Sequence, residues 1–188
     1  MSMHRKAEII GLADQLVKSV GYEGFSYADL SAKLGITKAS IHHHFPHKED
    51  LGAALCDSYE AYLAEKFSAI EAQEGGAWAK LDAYFNSGAA LVADHGKTCP
   101  ISALQAEVNS LPAPLKDRLR ALDNQELEFV ARVLEAGRVS GEFRFEGGAS
   151  SQAALLVSSY KGALSFARIH GCAFLKDVMG QMKRSLGI

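Results

Sequence analysis

Between Leu30 and Lys48 the chain carries Lys33, Lys38 and Lys48, four histidines and no carboxylate. The hydroxyl residues Thr37 and Ser40 stand among them. Hydroxyls, imidazoles and ammonium groups interleaved in this way suit hydrogen bonding and charge pairing to phosphates and base edges. The rival reading is a solvated basic face on an ordinary helical hairpin. Lys48 favours the first reading. It opens a helix, where the dipole disfavours a cation, and a phosphate offsets that penalty.

Two other groups invite chemistry. His42, His43 and His44 suggest a metal, but adjacent helical residues point about 100° apart, so three in a row do not converge on one ion. Cys99 and His95 suggest a thiol nucleophile and its base. No third orienting group and no oxyanion site accompany them. The chain is therefore read as a non-enzyme with neither metal nor cofactor.

The basic stretch needs a scaffold. Ser26 with Asp29 three residues on makes a capping-box-like start for a short helix with Leu30 and Leu34 inward. Gly35 suits the left-handed residue that ends a helix. Ile36 follows into the core. Thr37 caps a second helix from Lys38 to Phe45, with Ile41 and Phe45 on its inner face. That leaves Lys38, Ser40, His42, His43 and His44 outward, and Pro46 stops the helix. Two helices joined through a Gly-containing turn form a helix-turn-helix, whose second helix reads the major groove. The motif covers about residues 27–46.

This stretch resembles the DNA-binding domain of TetR-family (tetracycline-repressor-like) transcriptional regulators. The resemblance rests on Ser26, Asp29, Leu30, the run Gly35-Ile36-Thr37-Lys38-Ala39-Ser40-Ile41, His44-Phe45, and Lys48-Glu49-Asp50-Leu51. It covers about the first quarter of the chain. One residue departs from the pattern: His42 stands where the family usually has a Tyr that reaches a phosphate, and an imidazole's charge depends on pH. The residues expected at DNA are Ser26, Tyr27, Thr37, Lys38, Ala39, Ser40, His42, His43, His44 and Lys48. The resemblance implies a homodimer on a pseudo-palindromic operator and a second domain that senses a small molecule.

Length and composition fit that picture. The 188 residues are 48% hydrophobic and 22% charged, with a net charge of -2, enough for one or two small domains with real cores. The basic signal is local to the recognition region. No secretory signal and no membrane-spanning apolar run is read. Cys56, Cys99 and Cys172 are widely spaced, which disfavours a disulfide framework and favours the cytoplasm.

Periodicity predicts an all-α chain of about nine helices: a three-helix helix-turn-helix domain over residues 1–50 and a ligand-binding and dimerisation bundle over 51–188. The first helix runs from Arg5 to Val20, with Ile9, Leu12, Ala13, Leu16, Val17 and Val20 on one face. Further helices are expected over Lys48–Glu74, with Tyr62 on the buried side, and over Ala77–His95, Ile101–Asn109, Leu115–Arg138, Ser150–His170 and Phe174–Leu186. The long helix from Lys48 is the natural lever between the two domains.

Pockets in helical bundles lie between helices. The expected walls are Trp78, Tyr84, Phe85, Leu104, Phe129, Tyr160 and Leu164, with Lys161, His95 and Cys99 as the polar or reactive groups. The run from Cys99 to Glu107 resembles a segment of one TetR branch in which a Cys senses electrophiles. A thiol at a helix N-terminus has a physical reason to react; an inert, space-filling Cys is the plain reading. For the dimer, the small residues Ser159, Ala163 and Ala167 together with Leu175, Val178 and Met182 are expected to meet a symmetry mate. The function so read is that of a repressor released by a small apolar or electrophilic effector. The alternative is a constitutive helix-turn-helix DNA-binding or scaffold protein without an effector.

Overall fold

The computed structural model describes residues 2–93 and 97–188. Among them the chain is all helical, with nine helices and no strand. They are α1 Ser2–Val20, α2 Tyr27–Leu34, α3 Lys38–His44, α4 Lys48–Glu71, α5 Ala77–Ala93, α6 Pro100–Ala106, α7 Ala113–Val139, α8 Ala149–His170 and α9 Cys172–Ser185. The chain divides into two compact units, Met1–Ala61 with Pro100–Leu122, and Tyr62–Cys99 with Asp123–Ile188.

The first unit is built on α1. Ile9, Ala13 and Val17 are fully buried at steps of four, whereas Val20 is exposed. Burying the Ile9 and Val17 side chains is worth about 1.5–3 kcal/mol each. Gly21 ends α1 at φ +85, and a Cβ there would run into the Glu107 carboxylate. That carboxylate accepts the Tyr22 N–H at 2.8 Å, which ties the loop after α1 to the turn after α6. α6 stops at Ala106, earlier than the expected Asn109, and residues 107–110 are turns.

Local chemistry sets α2 and α3. Ser26 Oγ accepts from the Ala28 N–H, and the Asp29 carboxylate accepts from the Ser26 N–H at 2.8 Å. Gly35 is left-handed at φ 63, and its N–H donates to Ser31 O. Thr37 Oγ1 accepts from the Ser40 N–H at 3.2 Å. Leu30, Ile41 and Phe45 are buried beneath the pair. These caps are the ones the sequence predicts, but Leu34 and Ile36, expected inward with Leu30, are only half-buried.

In the second unit α5 starts under a carboxylate from the α7–α8 loop: Glu142 accepts from Ala77 N–H at 2.6 Å and Trp78 N–H at 2.9 Å. Phe143 beside it fills the space that a Cβ on Gly137 would take. Leu63, Phe67 and Ile70 of α4 are buried, but Tyr62, expected with them, is 58% exposed. Position 62 lies one residue before Leu63, on the shoulder of the apolar stripe. α9 begins at Cys172, two residues earlier than expected, directly after Gly171 at φ 83.

Candidate nucleic-acid interface and buried polar cluster

The outward face of α3 carries Lys38, Ala39, His42 and His43, all exposed, with Ser40 and His44 half-buried. Thr37 is exposed at the N-cap. The His43 and His44 rings meet edge to face at 5.3 Å. His42 Nδ1 lies 3.1 Å from Pro46 O, and its ring stands edge-on to Tyr27 at 4.8 Å. Such a helix, capped at Thr37 and held from below by Ile41, presents short polar groups at its start and imidazoles in its last turn. That is the chemistry of a groove-reading helix.

Like Thr37 and His42, the expected DNA residues Tyr27, Ser26 and Lys48 have partners inside the chain. Tyr27 is buried, and its one hydroxyl proton is shared between Phe45 O at 2.9 Å and His47 O at 2.7 Å. Burial pushes that phenol up to about 12. Tyr27 therefore positions the turn after α3. Ser26 is exposed but holds the capping box, its hydroxyl donating to Asp29 at 2.7 Å. Lys48 is the most engaged. Its ammonium donates to Phe25 O at 2.7 Å and stands 4.7 Å from the Tyr22 ring centre and 4.8 Å from that of Phe25. Glu23 is 3.8 Å away. Burial lowers its pKa, while Glu23, Glu107 and Asp29 oppose the shift. The cation that the α4 dipole disfavours is thus held by two ring faces, a carbonyl and a carboxylate.

Tyr84, Phe85, Phe129 and Tyr160 form one aromatic cluster in the second unit. Phe129 stacks on Phe67 at 4.1 Å with rings 3° from parallel. Tyr84 lies 5.2 Å from Phe85 and 5.3 Å from Tyr160, and Phe85 5.0 Å from Tyr160. Leu164 is buried beside these helices. Trp78 instead borders an open groove with Met179, Cys172 and Lys183, and the Lys183 ammonium sits 5.0 Å from its ring. Leu104 is buried, and it belongs to the first unit. His95 lies outside the described residues.

Within the cluster is a polar knot in which Tyr84 and Tyr160 are expected as walls and Lys161 as a polar group, whereas Lys66, Asp123 and Glu126 are not expected from the sequence. Tyr84 donates to Glu126 Oε1 at 2.7 Å. Lys161 Nζ lies 2.7 Å from Glu126 Oε2 and 3.8 Å from Asp123. Tyr160 donates to Phe85 O at 2.5 Å. The Lys66 ammonium stands 4.8 Å from the Tyr84 ring centre. Burial lowers Lys66, with Glu126 and Cys99 opposing. Burial also pulls Lys161 down, but Glu126, Cys99 and Asp123 outweigh it and hold the ammonium above its ordinary range. Burial, then Glu126, drives the Tyr84 phenol well above its usual value. One signal was available: Glu126 sits in the apolar stripe of α7, four residues after Leu122 and three before Phe129, and a carboxylate there needs a partner.

The three cysteines differ. Cys56 is buried, Cys99 half-buried and Cys172 exposed, and none is in a disulfide. Cys99 is within electrostatic reach of both Lys66 and Lys161.

The residues expected at the dimer face lie on α8 and α9. Ala163, Ala167, Leu175 and Met182 are buried within the chain itself, and Ser159 and Val178 are half-buried. Small residues on α8 serve close packing inside one subunit, where α8 lies against α9 and α5. The apolar side chains left outward on α8 are Leu155, Phe166 and Ile169, which share another face with Gly162. Phe166 extends that face by stacking on His170 at 6.0 Å and on Phe174 at 5.6 Å.

Two family patterns match the chain. The pattern of bacterial regulatory proteins, tetR family, matches residues 9–55, and that of the tetracyclin repressor-like C-terminal domain matches residues 77–178. None of the curated proteins matches the chain. Among solved structures, a TetR-family transcriptional regulator from Agrobacterium tumefaciens is similar at 29% identity over 99% of both chains, with a TM-score of 0.94. A TetR transcriptional regulator from Legionella pneumophila is 27% identical over 95% of both chains, with a TM-score of 0.86. The reduced form of E. coli NemR shares the fold, at 22% identity over 96% of both chains and a TM-score of 0.85.

Proposed function

The chain belongs to the tetR family of bacterial regulatory proteins, and from that premise we propose that it is a homodimeric, ligand-responsive transcriptional repressor acting on DNA in the cytoplasm. The observation that carries the reading is α3, capped at Thr37 and presenting Lys38, Ala39, Ser40, His42, His43 and His44 outward on a stretch without carboxylates. Regulators of this family are not enzymes. Two copies of α3 reach successive half-sites when they stand roughly 34–36 Å apart, or a multiple of that. The pairing surface that fits is the outward apolar face of α8, with Leu155, Phe166 and Ile169.

The effector, a small apolar or electrophilic molecule, acts at the second unit near Tyr84, Phe85, Phe129, Tyr160 and Lys161. It must bind the DNA-incompetent arrangement more tightly than the competent one. An electrophile reaching Cys99 meets a half-exposed thiol with two ammonium groups within electrostatic reach. The rival reading is a constitutive DNA-binding protein with a filled core. Its support is the ring-to-ring packing of Phe67, Tyr84, Phe85, Phe129 and Tyr160.

The test uses a duplex that the protein enriches from a random-sequence pool. Repression through an effector predicts a palindromic consensus, and release of that duplex by members of a panel of aromatic and electrophilic compounds. A consensus with no releasing compound supports the constitutive reading; no enrichment at all sinks both.

A further inference from the structure

His42 Nδ1 lies 3.1 Å from Pro46 O. A carbonyl oxygen only accepts, so Nδ1 carries the proton. The neutral ring then presents a bare lone pair at Nε2. A phosphate oxygen also only accepts, and two lone pairs facing each other repel. Protonating Nε2 turns that contact into a charge-assisted hydrogen bond. Imidazole is the side chain whose ordinary titration falls between pH 5 and 8.

The ring borders an open concavity of about 450 Å³, shared with Ser26, Lys38, His47 and Lys48 and, among the described residues that line it, free of carboxylates. It is also held in place. Tyr27 abuts it edge to face, and Tyr27 is itself pinned by its hydroxyl to Phe45 O and His47 O. The charged and titratable neighbours come from every element around it. Tyr27 and Asp29 belong to α2, Lys38 and His43 to α3. His47 and Lys48 open α4, with Asp50 on the His47 N–H and Glu23 beside Lys48. The lining itself carries the ammonium groups of Lys38 and Lys48 and no carboxylate, while Glu23, Asp29 and Asp50 do not line it, and a phosphodiester entering it favours the protonated ring.

We propose that His42 binds a DNA phosphate only as the imidazolium ion, so that each recognition helix takes up a proton as it docks. This rests on the DNA-binding reading above. The complex is tightest at acid pH and loosens as pH rises through the neutral range, by up to tenfold per pH unit for each subunit that takes up a full proton.

The experiment is a titration of the pool-enriched duplex, read by fluorescence anisotropy at fixed salt from pH 6 to 8. Wild-type affinity should fall across that range. His42→Gln, whose amide donates at every pH, should flatten the profile. A flat wild-type profile, or a His42→Gln profile as steep as wild type, overturns the proposal. Nitrogen-15 shifts of the free protein at pH 8 give a second, independent reading: a neutral His42 protonated at Nε2 also overturns it. Failure to bind the duplex at any pH would instead sink the DNA-binding reading itself.

Discussion

Lys161 Nζ sits 2.7 Å from Glu126 Oε2, in a pair whose side chains are only 12% and 8% exposed. The second Glu126 oxygen takes the Tyr84 hydroxyl. Removing the carboxylate strands a buried ammonium and a buried phenol together. Glu126→Ala should therefore destabilise the protein by about 3–5 kcal/mol. Glu126→Met with Lys161→Met should recover part of that loss, because Lys161 no longer leaves a buried charge unpaired, although the Tyr84 phenol still lacks its acceptor. Urea unfolding at pH 7 decides; a double variant as unstable as the single one would mean that shape, not charge, matters there. The sign with pH follows from the raised Lys161: its contribution is complete below the ordinary lysine range and is lost only as pH rises through the raised value.

Local signals were legible in the sequence and pairings were not. Ser26, Gly35 and Thr37 act on backbone within a few residues, so their caps could be read directly. The apolar stripe of α7 could be read too, but Glu126 finds Tyr84 and Lys161 from α5 and α8, 42 and 35 positions away, and periodicity does not say which helices meet. α8 shows the same limit. It carries a small-residue face and a large apolar face, and spacing alone assigned the small one to a symmetry mate. The structure packs the small face within the subunit, where backbones approach closely, and leaves Leu155, Phe166 and Ile169 outward. Lys48 was placed at a helix start, but its ring partners Tyr22 and Phe25 lie across a loop that carries no pattern.

Lys48 is held between Tyr22, Phe25 and the Phe25 carbonyl, so Lys48→Ala should have two effects. The protein should lose about 1–2 kcal/mol of stability, from two cation–π contacts and one hydrogen bond. Its affinity for DNA should fall evenly across sequences, and the slope of log affinity against log salt should shrink by about one. An unchanged salt slope with the stability loss intact would make Lys48 an internal brace that never meets a phosphate.

Ile169 is 84% exposed and shares its face with Leu155 and Phe166. Ile169→Lys combined with Phe166→Asp should yield monomers in sedimentation while the helical circular dichroism persists. Ala163→Arg should instead unfold the second unit, since Ala163 is buried inside the chain and an arginine overpacks it. A dimer that survives the first pair of changes puts the interface elsewhere.

The thiols give the sharpest test of the effector. Burial pushes the Cys56 thiol up to about 11, so at pH 7 its thiolate is roughly one part in ten thousand, and the thiolate is what reacts. N-ethylmaleimide should spare Cys56 in the folded protein and label Cys172, which is exposed, and Cys99, which is half-buried; mass spectrometry of the labelled peptides checks this. Labelling alone does not make a sensor. Only a modification within reach of Lys66, Lys161 and the Tyr84–Glu126 knot can disturb the polar core of the second unit, and Cys99 is the thiol so placed. N-ethylmaleimide should thus release DNA from wild type and from the Cys56→Ser and Cys172→Ser proteins, and leave the Cys99→Ser complex intact. Release from Cys99→Ser at the wild-type dose removes the thiol from the mechanism and leaves a reversibly bound apolar effector as the remaining form of the reading.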